Sequence, residues 1–279
     1  MNIEQCAELF SSFSGKTLFV GFSGGADSCA ALLITEHFAG RYNFAVTAVH
    51  INHHLRGEES DREEKDAEAF AAKLHIPFRC FHVRDLQPKN LEAEARAARQ
   101  KIWQELTAGQ PESAVVLGHH ADDRVETLFL RLLRGSNSSG LAALRPYRKV
   151  GNVVFLRPLL NFRRCEIEEF LKKNAVEHFA LDSSNREDCF LRNYLRMNLL
   201  KSLFTRVPQG FFGITASLEA LEEDAAFLEQ EARRCFGEIR GKSDTAAEFW
   251  RKLPGALQTR VLRLYLSACI GREIGRAHV

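Results

Sequence analysis

Short apolar, β-branched runs alternate with helical stretches along most of the chain, and this alternation restricts the fold more than any other feature. TLFVGF (17–22), FAVTAVHIN (44–52), PFRCFHV (77–83), AVVLGHH (114–120) and VVFLRPLL (153–160) have the length and composition of buried strands. Between them lie amphipathic stretches. The first runs from about Ser28 to Ala39, and the second, 60–75, opens on Ser60 with Glu63 three residues on, a capping-box pattern. The third, 90–106, has Asn90 as its cap, the fourth, 122–135, closes at Gly135, and 163–174 follows the fifth strand. Strands separated by helices of crossover length predict an α/β fold: a Rossmann-like parallel five-stranded sheet with helices on both faces. After about Leu181 no strand pattern remains, and 190–204, 213–236 and 254–270 read as helices. We therefore expect an α/β domain over 1–205 and a smaller all-helical domain over 206–279. The final GREIGRAHV lacks a helix stop, so a further domain is expected beyond it.

Parallel sheets of this kind bind ligands outside the carboxyl ends of their strands. Three polar clusters fall there: SGGADS (23–28), HINHHLR (50–56) and GHHADD (118–123). In the first, Gly24 and Gly25 let backbone N–H groups approach an anion, Ser23 and Ser28 add hydroxyls, and the next helix offers its positive end. No lysine is present to neutralise a terminal phosphate. That suits a loop holding pyrophosphate, with Asp27 placed for Mg2+; a helix entry that merely uses Gly and Ser for a turn is the alternative. The third cluster runs on as GHHADDRVET (118–127), where Asp123 and Glu126 share a helix face, although acidic residues also serve simply to cap a helix. Arg131 and Arg134 follow on that helix. Arg96 and Arg99 lie on the 90–106 helix, where Glu92 and Arg96 can pair, and Arg192 and Arg196 sit four apart. Such arginines are either solvated faces or contacts to phosphate and nucleic acid.

A net charge of +2 does not advertise a polyanion partner, so nucleic-acid contact must come from local patches. Seven cysteines, at 6, 29, 80, 165, 189, 235 and 269, form no Cys-x-x-Cys and fit reduced thiols in a cytosolic protein. With no apolar leader and no membrane-length run, a soluble cytoplasmic protein without membrane partners is expected.

Taken together, SGGADS, HINHHLR, NLEAEARAAR (90–99), GHHADDRVETLFLRLLRGS (118–136), RPLL (157–160) and DSSNREDCFLRNYLR (182–196) resemble the N-type ATP pyrophosphatases, the PP-loop superfamily. Within it the chain is similar to the bacterial tRNA(Ile)-lysidine synthases. Gln100, where that family tends to carry an aromatic, and the RGSNSSGL loop are small departures. The resemblance implies that 1–205 is a catalytic ATP pyrophosphatase domain. It also implies adenylation of the wobble cytidine of a tRNA(Ile) with a CAU anticodon, then attack by the ε-amine of free L-lysine and loss of AMP. ATP would be held by Ser23, Gly24, Gly25, Ala26, Asp27, Ser28, His50 and Asn52, with Mg2+ on Asp27. Lysine would meet Asp123 and Glu126. Arg131, Arg134, Arg192 and Arg196 would contact tRNA, and Asp27, Arg99, Asp123, Glu126, Arg192 and Arg196 would serve the chemistry. A homodimer is left open. Rival readings are a tRNA thiolase, disfavoured by the missing cysteine pair, a glutamine-dependent ligase without a glutaminase segment, and an idle nucleotide sensor.

Overall fold

The computed structural model describes residues 1–55, 57–84, 91–110, 112–142, 144–176, 187–240 and 246–270. The sequence-derived cap at Asn90 and the Glu92–Arg96 pairing lie outside what is described. The chain divides into two compact units: Met1–Glu126 with Leu144–Leu199, and Thr127–Ala143 with Leu200–Val279.

The first unit carries the sheet. Its strands are β1 (Thr17–Gly21), β2 (Ala45–Asn52), β3 (Phe78–His82), β4 (Ala114–Val116), β5 (Tyr147–Val150) and β6 (Val153–Leu156). They lie in the order β3-β2-β1-β4-β6-β5. The first four and β6 are parallel, which matches the five strands expected. The sixth, β5, was not anticipated. It pairs antiparallel with β6 at the sheet edge through a two-residue turn, and YRKV is polar and mostly exposed, so it carries no alternating apolar signal.

Helices α1 (Ala7–Phe10), α2 (Ala26–Tyr42), α3 (Glu58–Lys73) and α4 (Leu91–Ala108) precede α5 (Ala121–Leu133) and α6 (Ser138–Leu141). Then come α7 (Arg164–Lys173) and α8 (Glu187–Tyr194), the latter running into a π-helical stretch, Leu195–Leu200. Helix α3 begins two residues earlier than expected, with Gly57 as its N-cap and no side-chain cap; Ser60 is buried inside the first turn instead. Gly135 closes the turn after α5, its N–H donating to the Leu132 carbonyl at 3.1 Å.

Alternation along β1 sorts the two cores. Leu18 and Val20 join Phe10, Leu32, Ile34 and Phe38 on one face. Phe19 joins Val49, Val115 and Ile102, Trp103 and Leu106 of α4 on the other. Both faces are covered, which is why the strands are nearly continuous in apolar residues rather than half polar.

The second unit is helical. Besides the end of α5 and α6, it contains α9 (Lys201–Arg206), α10 (Gly210–Arg240), α11 (Ala246–Lys252) and α12 (Gly255–Ile270). Ala232, Cys235, Ile239 and Val261 form its core, with Phe249 and Trp250 packed against them. Arg260 donates to Ser138 Oγ at 2.9 Å, tying α12 to the short helix α6. The unit begins at Leu200 and takes in Thr127–Ala143, whereas the sequence reading drew a single cut at 205. Among the described residues no helix is long and apolar enough to cross a membrane.

Candidate active site

Because β1, β2 and β4 are parallel and adjacent, their carboxyl ends and the segments that follow share one edge of the sheet. The SGGADS turn leaves β1 there. Gly24 adopts φ 82°, which a side chain would resist, and Gly25 is the N-cap of α2 with no side chain capping the helix. Ser28 Oγ donates to the Gly25 carbonyl at 2.8 Å and lies 3.2 Å from Ser23 Oγ. The two hydroxyls thus brace the turn while the first-turn N–H groups of Ala26, Asp27 and Ser28 stand at the positive helix end, as an anion requires.

The GHHADD segment presses against this turn. A Cβ on Gly118 would lie 2.8 Å from the Asp27 carbonyl oxygen and 3.1 Å from the Ser28 nitrogen. Those are backbone atoms and cannot swing aside. Gly118→Ala is therefore expected to cost about 1–3 kcal/mol of stability by overpacking and to push the SGGADS turn out of place. Urea unfolding together with nucleotide titration checks both effects.

Asp27, at the first turn of α2, meets charge from two other elements. Its Oδ2 accepts from Arg164 Nη1 at 2.6 Å and lies 3.8 Å from His120 Nε2; its Oδ1 is buried without a hydrogen-bond partner. Burial raises its pKa, and the positive charge of His120 and Arg164 offsets only part of the shift. An ionised oxygen held dry and unpartnered is what a cation would relieve, so the site fits Mg2+ at Asp27.

His120 is buried among three carboxylates, with Asp122 at 3.5 Å, Asp123 at 3.6 Å and Asp27 at 3.8 Å. Burial works against its charge, but the three carboxylates outweigh it and raise its pKa. Its neighbour His119 has the opposite fate. Desolvation takes it down to about 4. The stabilisation from charged His120 is fully present below the ordinary value of 6.5 and lost as pH rises through its raised folded value. That from neutral His119 is present above 6.5 and lost as pH falls towards 4. A histidine NMR titration should resolve one imidazole titrating above 6.5 and its sequence neighbour near 4. Asp122 is pulled in two directions: burial raises its pKa, but His120 and the Arg164 backbone N–H, donating at 2.8 Å, hold it below the usual range.

Asp123 and Glu126 face α8 and the π-helical stretch after it. Glu126 is only 1% exposed. Its carboxylate accepts from Arg192 Nε at 2.8 Å and from Arg196 Nε and Nη2 at 2.6 and 3.0 Å. Arg192 Nη2 also donates to Asp123 at 3.2 Å, and Arg196 Nη2 lies 3.7 Å from it. Donating these hydrogen bonds to Glu126 raises the pKa of Arg196. The three-residue spacing of the carboxylates and the four-residue spacing of the arginines thus produce one two-by-two cluster, with Arg196 on a π-helical backbone of the kind frequent at functional sites.

His50 Nδ1 is 2.9 Å from the Phe22 carbonyl, and Asn52 Nδ2 donates to Glu64 at 2.7 Å, so both end-of-strand residues have protein partners. Arg99 on α4 lies near His53 and, after burial, contributes to holding that imidazole down at about 4. The structure gathers Asp27, Asp123, Glu126, Arg192 and Arg196 into one electrostatic cluster. Arg131 and Arg134 belong to the second unit; Arg131 donates to the Gly140 carbonyl. Residues 182–186 lie outside what is described.

Two participants escaped the sequence reading. Arg164 opens α7, where a cation opposes the helix dipole, so paired arginines at a helix start signal a carboxylate partner elsewhere in the fold. His120 carries no local signal of its role within GHHADD; its part here is to separate three carboxylates.

Residues 2–203 match the PP-loop domain family. The chain is 35% identical over 226 residues to the tRNA(Ile)-lysidine synthase of Solibacter usitatus, an alignment covering 81% of this chain and 48% of that one. It is 30% identical over 266 residues to the tRNA(Ile)-lysidine synthase of Bacillus subtilis, covering 92% and 56%. The chain thus spans about half the length of these curated relatives. Among solved structures it is similar to the U34-tRNA thiolase NcsA of Methanococcus maripaludis with its [4Fe-4S] cluster. That match has a TM-score of 0.64 at 16% identity over 79% of this chain and 76% of the other, a likeness of fold.

Proposed function

This chain belongs to the PP-loop domain family, and from that premise we propose that it is the ATP-using catalytic part of a tRNA(Ile)-lysidine synthase. The reaction has two steps. The 2-oxygen of the wobble cytidine attacks the α-phosphate of ATP, and pyrophosphate leaves. The ε-amino group of free lysine then attacks the activated carbon, loses a proton, and AMP departs with its oxygen. In this reading the work is done in the cytoplasm on a tRNA with a CAU anticodon.

The observation that carries the proposal is the buried Glu126 carboxylate, paired with Asp123 and clamped by Arg192 and Arg196 in the same cluster as Asp27. In the first step the backbone N–H groups of the SGGADS turn and the start of α2 hold the leaving pyrophosphate. Asp27 would hold Mg2+, which when bound neutralises phosphate charge. In the second, the ammonium of lysine takes up the carboxylates of Asp123 and Glu126 in place of a guanidinium, keeping the charge balanced. Arg192 and Arg196 are then released towards phosphate or tRNA, and Arg99, Arg131 and Arg134 serve as further anion contacts. His50 and Asn52 stand at the end of β2 for the nucleoside.

The division of labour is tested with α-labelled ATP and a transcript of the tRNA. The label is expected in AMP and in a tRNA adduct, not in ADP, and only when the wobble base is cytidine. ADP as the product, or AMP formation indifferent to tRNA, would contradict the proposal.

A further inference from the structure

On the outermost parallel strand, β3, Cys80 and His82 stand two residues apart and therefore on one face. Glu64 of α3 covers that face. A carboxylate oxygen of Glu64, the Cys80 thiol and a His82 ring nitrogen all lie within 4.8 Å of one another, with His82 Nδ1 at 3.7 Å from Glu64 Oε2. A fourth donor is at hand: His54 Nε2 lies 3.0 Å from that His82 nitrogen. His54 reaches this position with φ 50°, a strained backbone for a histidine.

The surroundings already orient these groups. Asn52 donates to Glu64 Oε2 at 2.7 Å, and Asp61 lies 3.4 Å from His54 Nδ1, which favours the tautomer that leaves Nε2 free to bind. Carboxylate partners of this type are characteristic of ligating histidines. We propose that Glu64, Cys80, His82 and His54 form a binding site for a single zinc ion. One thiolate, two imidazoles and one carboxylate suit zinc rather than magnesium or calcium. Zinc bonds of about 2.0–2.3 Å place tetrahedral donors roughly 3.3–3.8 Å apart, so small side-chain rotations close the site. The ion displaces the thiol proton, and the proton lying between the two imidazoles moves to His82 Nε2, so that both histidines bind as neutral rings. The His82 side chain is 44% exposed, leaving a path for entry. The ion ties β3 to α3 and to the residues after β2, apart from the Asp27 cluster.

The test is titration of the whole chain with Co2+, read by its thiolate-to-metal absorption, and with Zn2+ by equilibrium dialysis. One equivalent of each should bind, with the absorption band of a tetrahedral thiolate site. Cys80→Ser should abolish the band and weaken zinc binding by at least about 100-fold, at or beyond the upper end of the loss usual for outer-shell changes. Cys165→Ser, at an exposed cysteine, should leave both unchanged. Should Cys80→Ser fail to fold, alkylation of the unaltered chain gives the answer: Zn2+ should protect Cys80 and not Cys165. Absence of the band at one equivalent, its survival in Cys80→Ser, or an unprotected Cys80 would overturn the proposal.

Discussion

Glu126→Gln is expected to lower lysine transfer to tRNA by about 10²- to 10³-fold while tRNA-dependent release of pyrophosphate continues. The glutamine keeps the shape of Glu126 but removes the charge that two guanidiniums now share. Losing one member of a desolvated, hydrogen-bonded charge pair costs about 2–5 kcal/mol where the pair is used, and each 1.36 kcal/mol is tenfold in rate. The stability cost is smaller. The Arg192 and Arg196 side chains are 35% and 49% exposed, so water can take over much of their solvation, and Asp123 remains beside them. A loss of about 1–3 kcal/mol in urea unfolding is expected. Measuring lysine transfer and pyrophosphate release on the same preparation separates a substrate carboxylate from a structural one. Equal loss of both would mean that Glu126 only holds α8 in place.

Asp27→Asn is expected to do the reverse: to abolish ATP chemistry by about 10³-fold or more and leave stability unchanged or higher. The activity estimate follows from removing a preorganised electrostatic group at the point where charge develops. The stability estimate follows from the raised pKa of Asp27, whose first cause is burial. A carboxyl whose folded pKa lies above its unfolded value of 3.8 contributes most when protonated, and that contribution is lost as pH rises through the folded value. At neutral pH the ionised group is therefore a strain on the fold, as expected of a site shaped for function rather than stability. Asparagine relieves it. His120 loses one of its three carboxylate neighbours, so its pKa should fall in the same variant. Pyrophosphate release, urea midpoint and the His120 titration should all move as stated; a large loss of stability would make Asp27 a structural residue.

The sequence carried the parallel sheet because its central strands are buried on both sides and so read as unbroken apolar runs, as in Leu18–Val20 and Ala114–Val116. It did not carry β5, whose Tyr147, Arg148 and Lys149 face solvent. Within the site, Asp123 with Glu126 and Arg192 with Arg196 were legible because helical spacing joins each pair locally. That the two pairs would bind each other was not. The contact spans 66 residues between Glu126 and Arg192 and depends on the fold. Arg164 was hidden for the same reason, 137 residues from Asp27. The Glu64, Cys80 and His82 cluster was invisible as a group, because only the two-residue alternation of Cys80 and His82 is local. Local periodicity reveals which side chains share a face; only the assembled sheet reveals which faces meet.

In the proposed function this chain uses ATP to activate one cytidine and completes the reaction with lysine. Radiolabelled lysine, ATP and a tRNA(Ile) transcript with a CAU anticodon test it most directly. Label should enter the tRNA to one lysine per molecule, only with ATP present, and should vanish when the wobble cytidine is replaced by uridine. Lysine that enters the tRNA without ATP, or that enters the uridine transcript equally well, would contradict the account, as would tRNA adenylated at the wobble cytidine that no lysine ever discharges.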